Sequence, residues 1–332
     1  MVRFYYRITL IVLFGLAAVI TVGGAAFFGM KFITPAMVAA NAVDHEIFWQ
    51  LRVPRVLAAF LAGSGLALCG MVFQAIFRNP LADPFTLGTA SGASCGAAVT
   101  ILMGITGSFL GIPAISIGAF IGAVAAMACV SAITSLKKTS SGLTMLLAGI
   151  AVSFLFSSLL MFFQYMSSHR DSFQIVRWLM GGIQVAGYGS LVPLLSFWVI
   201  GVVMIILKLP ALDQIFAGED LAKSRGVDVI GSKQWLLVAA TLLIAGIVAV
   251  CGPVGFVGLM VPHIGRRIVS SNHLFLGPVC IFLGGSFLVI ADTLGRTIIG
   301  PAELPVGVLT ALIGGPFFLW LLFGKRREFE AF

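Results

Sequence analysis

The stretch "RVPRVLAAFLAGSGLALCGMVFQAIF", residues 52–77, opens with two arginines and then runs to its end without a charged residue. A transmembrane helix needs about 20 mainly apolar residues, and this stretch supplies that length. It therefore predicts a membrane-spanning helix whose first turn carries Arg52 and Arg55.

The whole chain shares this apolar character. Of its 332 residues, 60% are hydrophobic and 10% are charged, whereas a soluble domain carries about 25% charged residues. This composition excludes a soluble enzyme and a soluble nucleic-acid-binding domain. We predict an all-α, polytopic membrane protein that forms one transmembrane domain over residues 1–332, with membrane lipid around it and no nucleic-acid partner.

Apolar windows of spanning length recur along the sequence and predict ten transmembrane helices. The range 257–271 is short and contains Pro262, so we expect it to cross only partly or to pack beside its neighbours. The predicted spans are residues 8–30, 54–77, 85–103, 113–136, 143–164, 191–208, 234–251, 257–271, 275–292 and 305–323.

Pairs of glycines four residues apart indicate close helix packing, because small residues let helix backbones approach each other. The spacing occurs at Gly92-x3-Gly96, Gly107-x3-Gly111 and Gly118-x3-Gly122.

The distribution of lysine and arginine predicts the orientation of the chain, since cytoplasmic loops are enriched in both. Ten spans with the N-terminus inside place most of the 20 basic residues in the cytoplasm. Both termini are then cytoplasmic, and the net charge of +8 reflects topology. Arg52, Arg55 and Arg296 fall on the opposite, outer side, against this bias.

Arg52 and Arg55 are three residues apart and share one side of a helix start. They could reach lipid headgroups, or pair with Asp44 or Glu46 just upstream. They could equally form a docking site for acidic groups on a soluble partner, since a guanidinium suits carboxylates. The residues alone leave these alternatives open.

The longest polar interruption on the cytoplasmic side is "LPALDQIFAGEDLAKSRGVDVIGSKQ", residues 209–234. Glu219 begins a short charged helix that ends before Gly226, and Gly218 separates it from a preceding apolar turn. We predict two short amphipathic helices joined at Gly218. The alternative is a solvated connector, although a patterned loop of this length is typical of a functional segment.

The turn after the second span carries a compact polar motif. Asn79-Pro80 predicts a turn, and Asp83 directly before Pro84 predicts the start of the next helix.

Several kinds of chemistry lack their sequence signatures. The chain has neither a P-loop nor an H-E-x-x-H motif, so we predict no catalytic residue, no metal site and no cofactor of its own. Any ATP and Mg²⁺ would bind a separate ATPase subunit. We expect the five cysteines to be small buried side chains: Cys69, Cys95, Cys129, Cys251 and Cys280.

Four segments together resemble the FecCD-type permease subunits of ABC importers, and the resemblance covers nearly all of the chain. They are "RVPRVLAAFLAGSGLALCGMVFQAIFRNPLADPFTLGTASGA" (52–93), "GEDLAKSRGV" (218–227), "GPVGFVGLMVPHIGRR" (252–267) and "ADTLGRTIIGPAELPVGVLTALIGGPFFLWLL" (291–322).

The resemblance implies a type II importer permease in the cytoplasmic (inner) membrane of a bacterium or archaeon. Such a subunit pairs with a second permease copy, a homodimer or a heterodimer, and works with two ATPase subunits and a periplasmic or lipoprotein substrate-binding protein. In the family, the paired arginines receive acidic residues of the binding protein, which implies docking by Arg52 and Arg55. Arg296 either joins them or pairs with Asp292 four residues before it.

The resemblance also implies that residues 209–234 couple the permease to the ATPase. An inner gate is implied at "SSGLTMLLAG" (140–149), through Ser141 and Thr144. The residues implied in ATPase coupling are Leu212, Phe216, Gly218, Glu219, Leu221 and Gly226.

The sequence thus predicts a permease that imports a metal chelate with ATP hydrolysed elsewhere. An iron-siderophore chelate is favoured, with cobalamin close behind and haem also within the family. The alternative is an ion-coupled secondary transporter, which tends to carry membrane-buried ionisable relays, whereas the predicted spans hold few acidic residues.

Overall fold

A computed structural model describes residues 2–29, 31–109, 111–136, 142–298 and 303–323. The described chain is helical except for loops and one short antiparallel hairpin, β1 (Ser108–Phe109) with β2 (Ile112–Pro113). A π-helix (Ile47–Arg52) precedes α4, and a 3₁₀ turn (Pro84–Leu87) precedes α5. The helices are α1 (Val2–Ala25), α2 (Pro35–Ala40), α3 (Ala42–Glu46), α4 (Val53–Phe77), α5 (Thr89–Leu102), α6 (Ala114–Leu136), α7 (Gly142–Met166), α8 (His169–Leu179), α9 (Leu191–Ile206), α10 (Leu209–Ala217), α11 (Glu219–Ser224), α12 (Val229–Cys251), α13 (Val257–Ile268), α14 (His273–Thr297) and α15 (Val306–Phe323).

A helix lies in each of the ten predicted ranges, but the predicted count of ten spans is not matched. By length and composition, six helices of the described chain can cross a membrane. The count is seven if the bent pair α9 and α10, which meet at 54°, forms one span. The all-α fold class is confirmed, and which side the termini face stays a prediction.

The shortfall comes from helices in the predicted ranges that are too short to count as spans, among them α5, α13 and α15. The 3₁₀ turn and Gly88, at φ 85°, delay the start of α5, which has 14 residues. Helix α13 has 12 residues and contains Pro262, which makes it about 18 Å long against a hydrocarbon core of about 30 Å. Both helices therefore pack within the bundle without crossing the membrane alone.

Helix α4 forms the centre of the bundle and packs against α14, α13 and α12. Its contact with α14 is a backbone approach, since a Cβ on Gly63 would lie 2.2 Å from the carbonyl oxygen of Gly284. Ala58, Ala62 and Leu66 on α4 are at most 1% exposed. The apolar stretch that opens the sequence is thus the core helix of the fold.

Two of the three predicted small-residue spacings face each other in the pair α5 and α6. A Cβ on Gly96 would lie 2.1 Å from the carbonyl oxygen of Gly118, and one on Gly92 would lie 2.4 Å from that of Gly122. The third prediction, for Gly107 and Gly111, is wrong. Both have positive φ and lie in or beside the hairpin, outside any helix.

Four of the five cysteines are buried, as predicted. Cys129 on α6 is exposed, which corrects the prediction for that residue.

Candidate functional site

Arg52 ends the π-helix and lies inside the protein, 8% exposed. Its guanidinium donates hydrogen bonds to the carbonyl oxygens of Phe27 at 2.8 Å and Lys31 at 2.6 Å. Arg52 thus links the loop between α1 and α2 to the start of α4 by hydrogen bonds.

Arg55, one helical turn later, binds two carboxylates. Its Nη2 lies 2.9 Å and its Nε 3.1 Å from Oδ1 of Asp292, and its Nη1 lies 2.9 Å from Oε2 of Glu303. The Asp292 side chain is 3% exposed, whereas that of Glu303 is 45% exposed. The pairing with Asp44 considered from the sequence is wrong, because Asp44 binds Lys31 at 3.0 Å.

Arg296 shares Asp292 with Arg55. Its Nε lies 3.1 Å from Oδ2 of Asp292, as the four-residue spacing predicted, and its Nη1 donates to the carbonyl oxygen of Phe28. Arg296 is 5% exposed. The structure thus brings the three predicted docking residues to one end of the bundle, where Arg55 and Arg296 pair with carboxylates and Arg52 binds backbone carbonyl oxygens.

We call this group the arginine cluster: Arg52, Arg55, Asp292, Arg296 and Glu303. Buried charges are costly unless they are paired, and here Arg55 and Arg296 meet the two carboxylates. Arg52 binds backbone carbonyl oxygens instead, and the five side chains together carry one positive charge. Sequence reasoning missed Asp292 and Glu303 as partners of Arg55, although both lie in the quoted segment 291–322.

Residues 209–234 form the two predicted short helices, α10 and α11, joined at Gly218. Gly226 follows α11 with φ 80°, a left-handed conformation that favours glycine. We call α10, Gly218 and α11 the coupling segment. Leu212 is fully buried in the core of the chain, whereas Leu221 is 42% exposed.

The coupling segment is attached to the bundle through two side-chain pairs, of whose members sequence reasoning singled out only Glu219. Oδ1 of Asp213 accepts from the backbone N–H of His273 at 2.9 Å and lies 2.5 Å from its Nδ1. Lys233 on α12 lies 2.6 Å from Oε1 of Glu219, and the Lys233 side chain is 4% exposed. Spacing patterns do not reveal these pairs, because their partners lie on different helices.

Phe216 is half-buried against the bundle. Its ring makes an edge contact with His273 at 5.4 Å, and the guanidinium of Arg266 lies 6.0 Å from its centroid. Arg266 also donates to the side-chain oxygen of Gln74 on α4. This face of α10 is therefore the bundle-facing side.

The turn after α4 has the predicted form. Arg78 is left-handed at φ 49°, and the side-chain oxygen of Asn79 accepts from the N–H of Leu81 at 2.9 Å. Asp83 precedes the 3₁₀ turn. Burial raises the pKa of Asp83 to about 7, and a hydrogen bond from the backbone of Phe85 opposes this shift.

Ser141 of the predicted gate lies outside the described residues. Thr144 lies in the first turn of α7 and is half-buried, and its role stays a prediction.

The arginine cluster and the coupling segment lie at opposite ends of the bundle. Arg55 and Gln74, at the two ends of α4, are 19 residues apart, which corresponds to about 28 Å along a helix. Helix α14 runs antiparallel beside α4, with His273 at the coupling segment and Asp292 in the arginine cluster.

A model of the FecCD transport family matches residues 8–324. The chain belongs to the FecCD transport family. The hemin transport system permease protein HmuU of Yersinia pestis is 36% identical over 302 residues, which are 90% of each chain. The cobalamin import system permease protein BtuC of Halobacterium salinarum is 37% identical over 302 residues, 91% of this chain and 79% of the relative.

A solved structure of a metal-chelate type ABC transporter in an inward-facing conformation superposes with a TM-score of 0.85 at 29% identity. The match covers 96% of this chain and 100% of that one. The resemblance drawn from the four sequence segments is confirmed, and this FecCD chain is a multi-pass transport permease.

Proposed function

We propose that this FecCD chain is the permease subunit of an ABC importer that carries a metal chelate, with an iron chelate as the first choice. The observation that carries the proposal is the family match over residues 8–324. Relatives named for hemin and for cobalamin support a large metal-centred cargo. An iron-siderophore, haem and cobalamin are therefore the substrates to test.

ATP is hydrolysed by two partner subunits that bind the coupling segment. Leu221 offers an exposed apolar side chain on α11, and Glu219 is held at the start of that helix by Lys233. Leu212 and Phe216 act from the other face, where they keep α10 on the bundle. Gly218 sets the direction in which the chain enters α11, and Gly226 sets the direction in which it leaves.

A substrate-binding protein docks at the arginine cluster from the outer side of the cytoplasmic membrane. Arg55 is its contact, because its bond to the exposed Glu303 is the one that an incoming carboxylate can replace. Arg52 and Arg296, which are buried, hold the backbone of residues 26–28 and 31 in place for that encounter. A residual positive charge at this rim speeds association and fixes orientation more than it adds affinity.

The pathway lies between this chain and a second permease copy. Helix α7 supports this arrangement, because it exposes a broad apolar face with Phe154 at 70% and Tyr165 at 91%. Apolar faces of this extent need cover from lipid or from another copy.

An ion-coupled secondary transporter is the other class considered. Such a mechanism needs an acidic residue that releases and binds its ion, whereas Asp292 within α14 is held by both Arg55 and Arg296. The pairing favours a structural carboxylate over a relay.

Proteoliposomes that contain the chain, its cognate ATPase subunit and its cognate binding protein test the proposal. We expect uptake of one of three labelled probes, a ferric siderophore, haem or cyanocobalamin, that requires ATP and survives collapse of the ion gradients. Uptake that ionophores abolish and ATP does not affect would contradict it.

A further inference from the structure

The joint between α10 and α14 is made by one carboxylate oxygen. Oδ1 of Asp213 accepts from both the backbone N–H and the ring Nδ1 of His273. A carboxylate only accepts, so Nδ1 carries the hydrogen. The His273 side chain is fully buried and that of Asp213 is 23% exposed. Hydrogen bonds to a charged group are about twice as strong as neutral ones.

The joint is more than a helix cap. The N-cap of α14 is Asn272, whose side-chain oxygen accepts from the N–H of Leu274 at 3.1 Å. Asp213 therefore adds a bond from a different helix to an end that is already capped. The bond between Asp213 and the ring of His273 has no role in capping, because a cap binds the free backbone N–H groups of the first helical turn.

A second link ties the same face of α10 to α4. Phe216 lies between His273 and Arg266, and Arg266 donates to Gln74, which is fully buried on α4. The amide of Gln74 in turn donates to the carbonyl oxygens of Gly258 and Leu259 on α13, both at 3.3 Å. The coupling segment is thus attached to both α4 and α14.

Helices α4 and α14 are packed against each other through close glycine contacts. A Cβ on Gly284 would lie 2.5 Å from Cβ of Ala67, and one on Gly285 would lie 2.4 Å from the ring of Phe60. Such interdigitated contacts are not continuously deformable. We call this pair the strut.

The far end of the strut carries the arginine cluster. Arg55 on α4 and Asp292 on α14 bind each other there. The strut is about 37 Å long, since α4 and α14 each have 25 residues. One rigid element therefore joins both candidate docking surfaces.

We propose that Asp213 and His273 are positioning residues that make a displacement of the coupling segment move the strut and, with it, the arginine cluster. This inference rests on the proposed function, in which nucleotide state moves the coupling segment. Without the Asp213–His273 bond, the attachments left to the coupling segment among the described residues are apolar packing, Phe216 and the Glu219–Lys233 pair. That pair leads to α12 and not to the strut, so a displacement of α10 is absorbed locally.

The test places a reporter at the far end of the strut. Ile298, 60% exposed after α14, is replaced by cysteine in a Cys129→Ser background and labelled with an environment-sensitive fluorophore. The full complex with its ATPase subunit is placed in lipid nanodiscs, and the probe is Mg-ATP with vanadate. Chelate uptake by the same complexes is measured in parallel.

Four variants separate the joint from general stability. Asp213→Ala removes the acceptor, Asp213→Asn keeps an acceptor oxygen, and His273→Leu removes the ring donor at similar volume. Arg177→Gln is the control, since Arg177 is an exposed charged residue on α8, outside both the coupling segment and the arginine cluster.

We expect nucleotide to change the fluorescence of the wild-type complex, and Asp213→Ala and His273→Leu to reduce that change about fivefold or more while the ATPase stays bound. Asp213→Asn keeps most of it, and Arg177→Gln keeps all of it. If the Asp213→Ala chain does not assemble with the ATPase subunit, the fluorescence change of the His273→Leu complex decides between the outcomes.

An undiminished change in either loss variant would overturn the proposal for Asp213 and His273. An equal loss in Arg177→Gln, or no change in a wild-type complex that imports chelate, would overturn it as well. A wild-type complex that imports none of the chelates contradicts the proposed function, which is a separate result.

Discussion

Arg55 and Asp292 are 237 residues apart in the sequence and close the arginine cluster, with two guanidinium nitrogens 2.9 and 3.1 Å from one carboxylate oxygen. The pair joins the first turn of α4 to the last turns of α14. Because Asp292 is nearly fully buried, the pair stabilises the helix pair as well as presenting Arg55 to a partner.

Arg55→Ala should lower the free energy of unfolding by about 2 kcal/mol, because it leaves Asp292 buried with Arg296 alone. SDS titration of the purified chain measures this change. The double variant with Asp292→Asn should recover at least half of the loss, since contacting residues are not additive. Arg177→Ala, an exposed arginine on α8, should change little. Additive effects at positions 55 and 292 would contradict the pairing.

Gly63→Ala should be strongly destabilising. The added Cβ would meet the carbonyl oxygen of Gly284 at 2.2 Å, and forcing helices apart in a packed core costs about 1–3 kcal/mol or more. Gly23→Ala in α1 is the matched control, because nothing lies within 4 Å of its added Cβ. Thermal unfolding in detergent compares the two. Equal melting temperatures would contradict the close approach of α4 and α14.

Asp83→Asn should remove a pH dependence of stability. The pKa of Asp83 rises from 3.8 to about 7 on folding, so between these values the unfolded chain has released a proton that the folded chain retains. The stability of the wild type therefore falls as pH rises from 4 to 7, by up to about 4 kcal/mol, and is level above that. The asparagine variant lacks this fall and is the more stable protein at pH 8.

Unfolding free energies measured between pH 4 and 8 check this prediction. Asp220→Asn, an exposed carboxylate, should leave the wild-type curve unchanged. Parallel curves for the wild type and Asp83→Asn would show that Asp83 does not titrate in this range.

Leu221→Asp and Leu212→Asp should fail in different ways. Leu221 is 42% exposed on α11, so the chain tolerates the charge, which disrupts the proposed apolar contact with the ATPase. Leu212 is fully buried, and its replacement buries an unpaired charge. We expect Leu221→Asp to purify as a folded chain without ATPase and Leu212→Asp to aggregate. A Leu221→Asp complex that survives purification would contradict the coupling role of α11.

The sequence predicts the helices well because apolar length and glycine breaks act locally. Gly218 ends one short helix and begins another, and the Gly92 and Gly118 spacings sit where α5 meets α6. The predicted count of spans is not matched, because the length of an apolar stretch in the sequence does not reveal that its helix is shorter and packs within the bundle, as α13 does.

The chemistry of the two ends is harder to predict. Arg55 finds Asp292 and Glu303 at separations of 237 and 248 residues, and Asp213 finds His273 at 60. Periodicity along one helix carries no information about which neighbour it meets across the bundle. The docking and coupling residues can thus be nominated from the sequence, but their partners require the packed structure.

Cysteine labelling should establish which end faces the cytoplasm. A cysteine at Asp220, which is fully exposed on the coupling segment, should react with a membrane-impermeant maleimide only in inverted vesicles. A cysteine at Ile298, at the arginine end of α14, should react only in intact cells or spheroplasts. Both are made in a Cys129→Ser background, because the thiol of Cys129 is exposed. Because the strut separates the two positions by the length of a span, one orientation excludes the other. Labelling of Asp220→Cys from outside would reverse the predicted topology and place the arginine cluster where a binding protein cannot reach it.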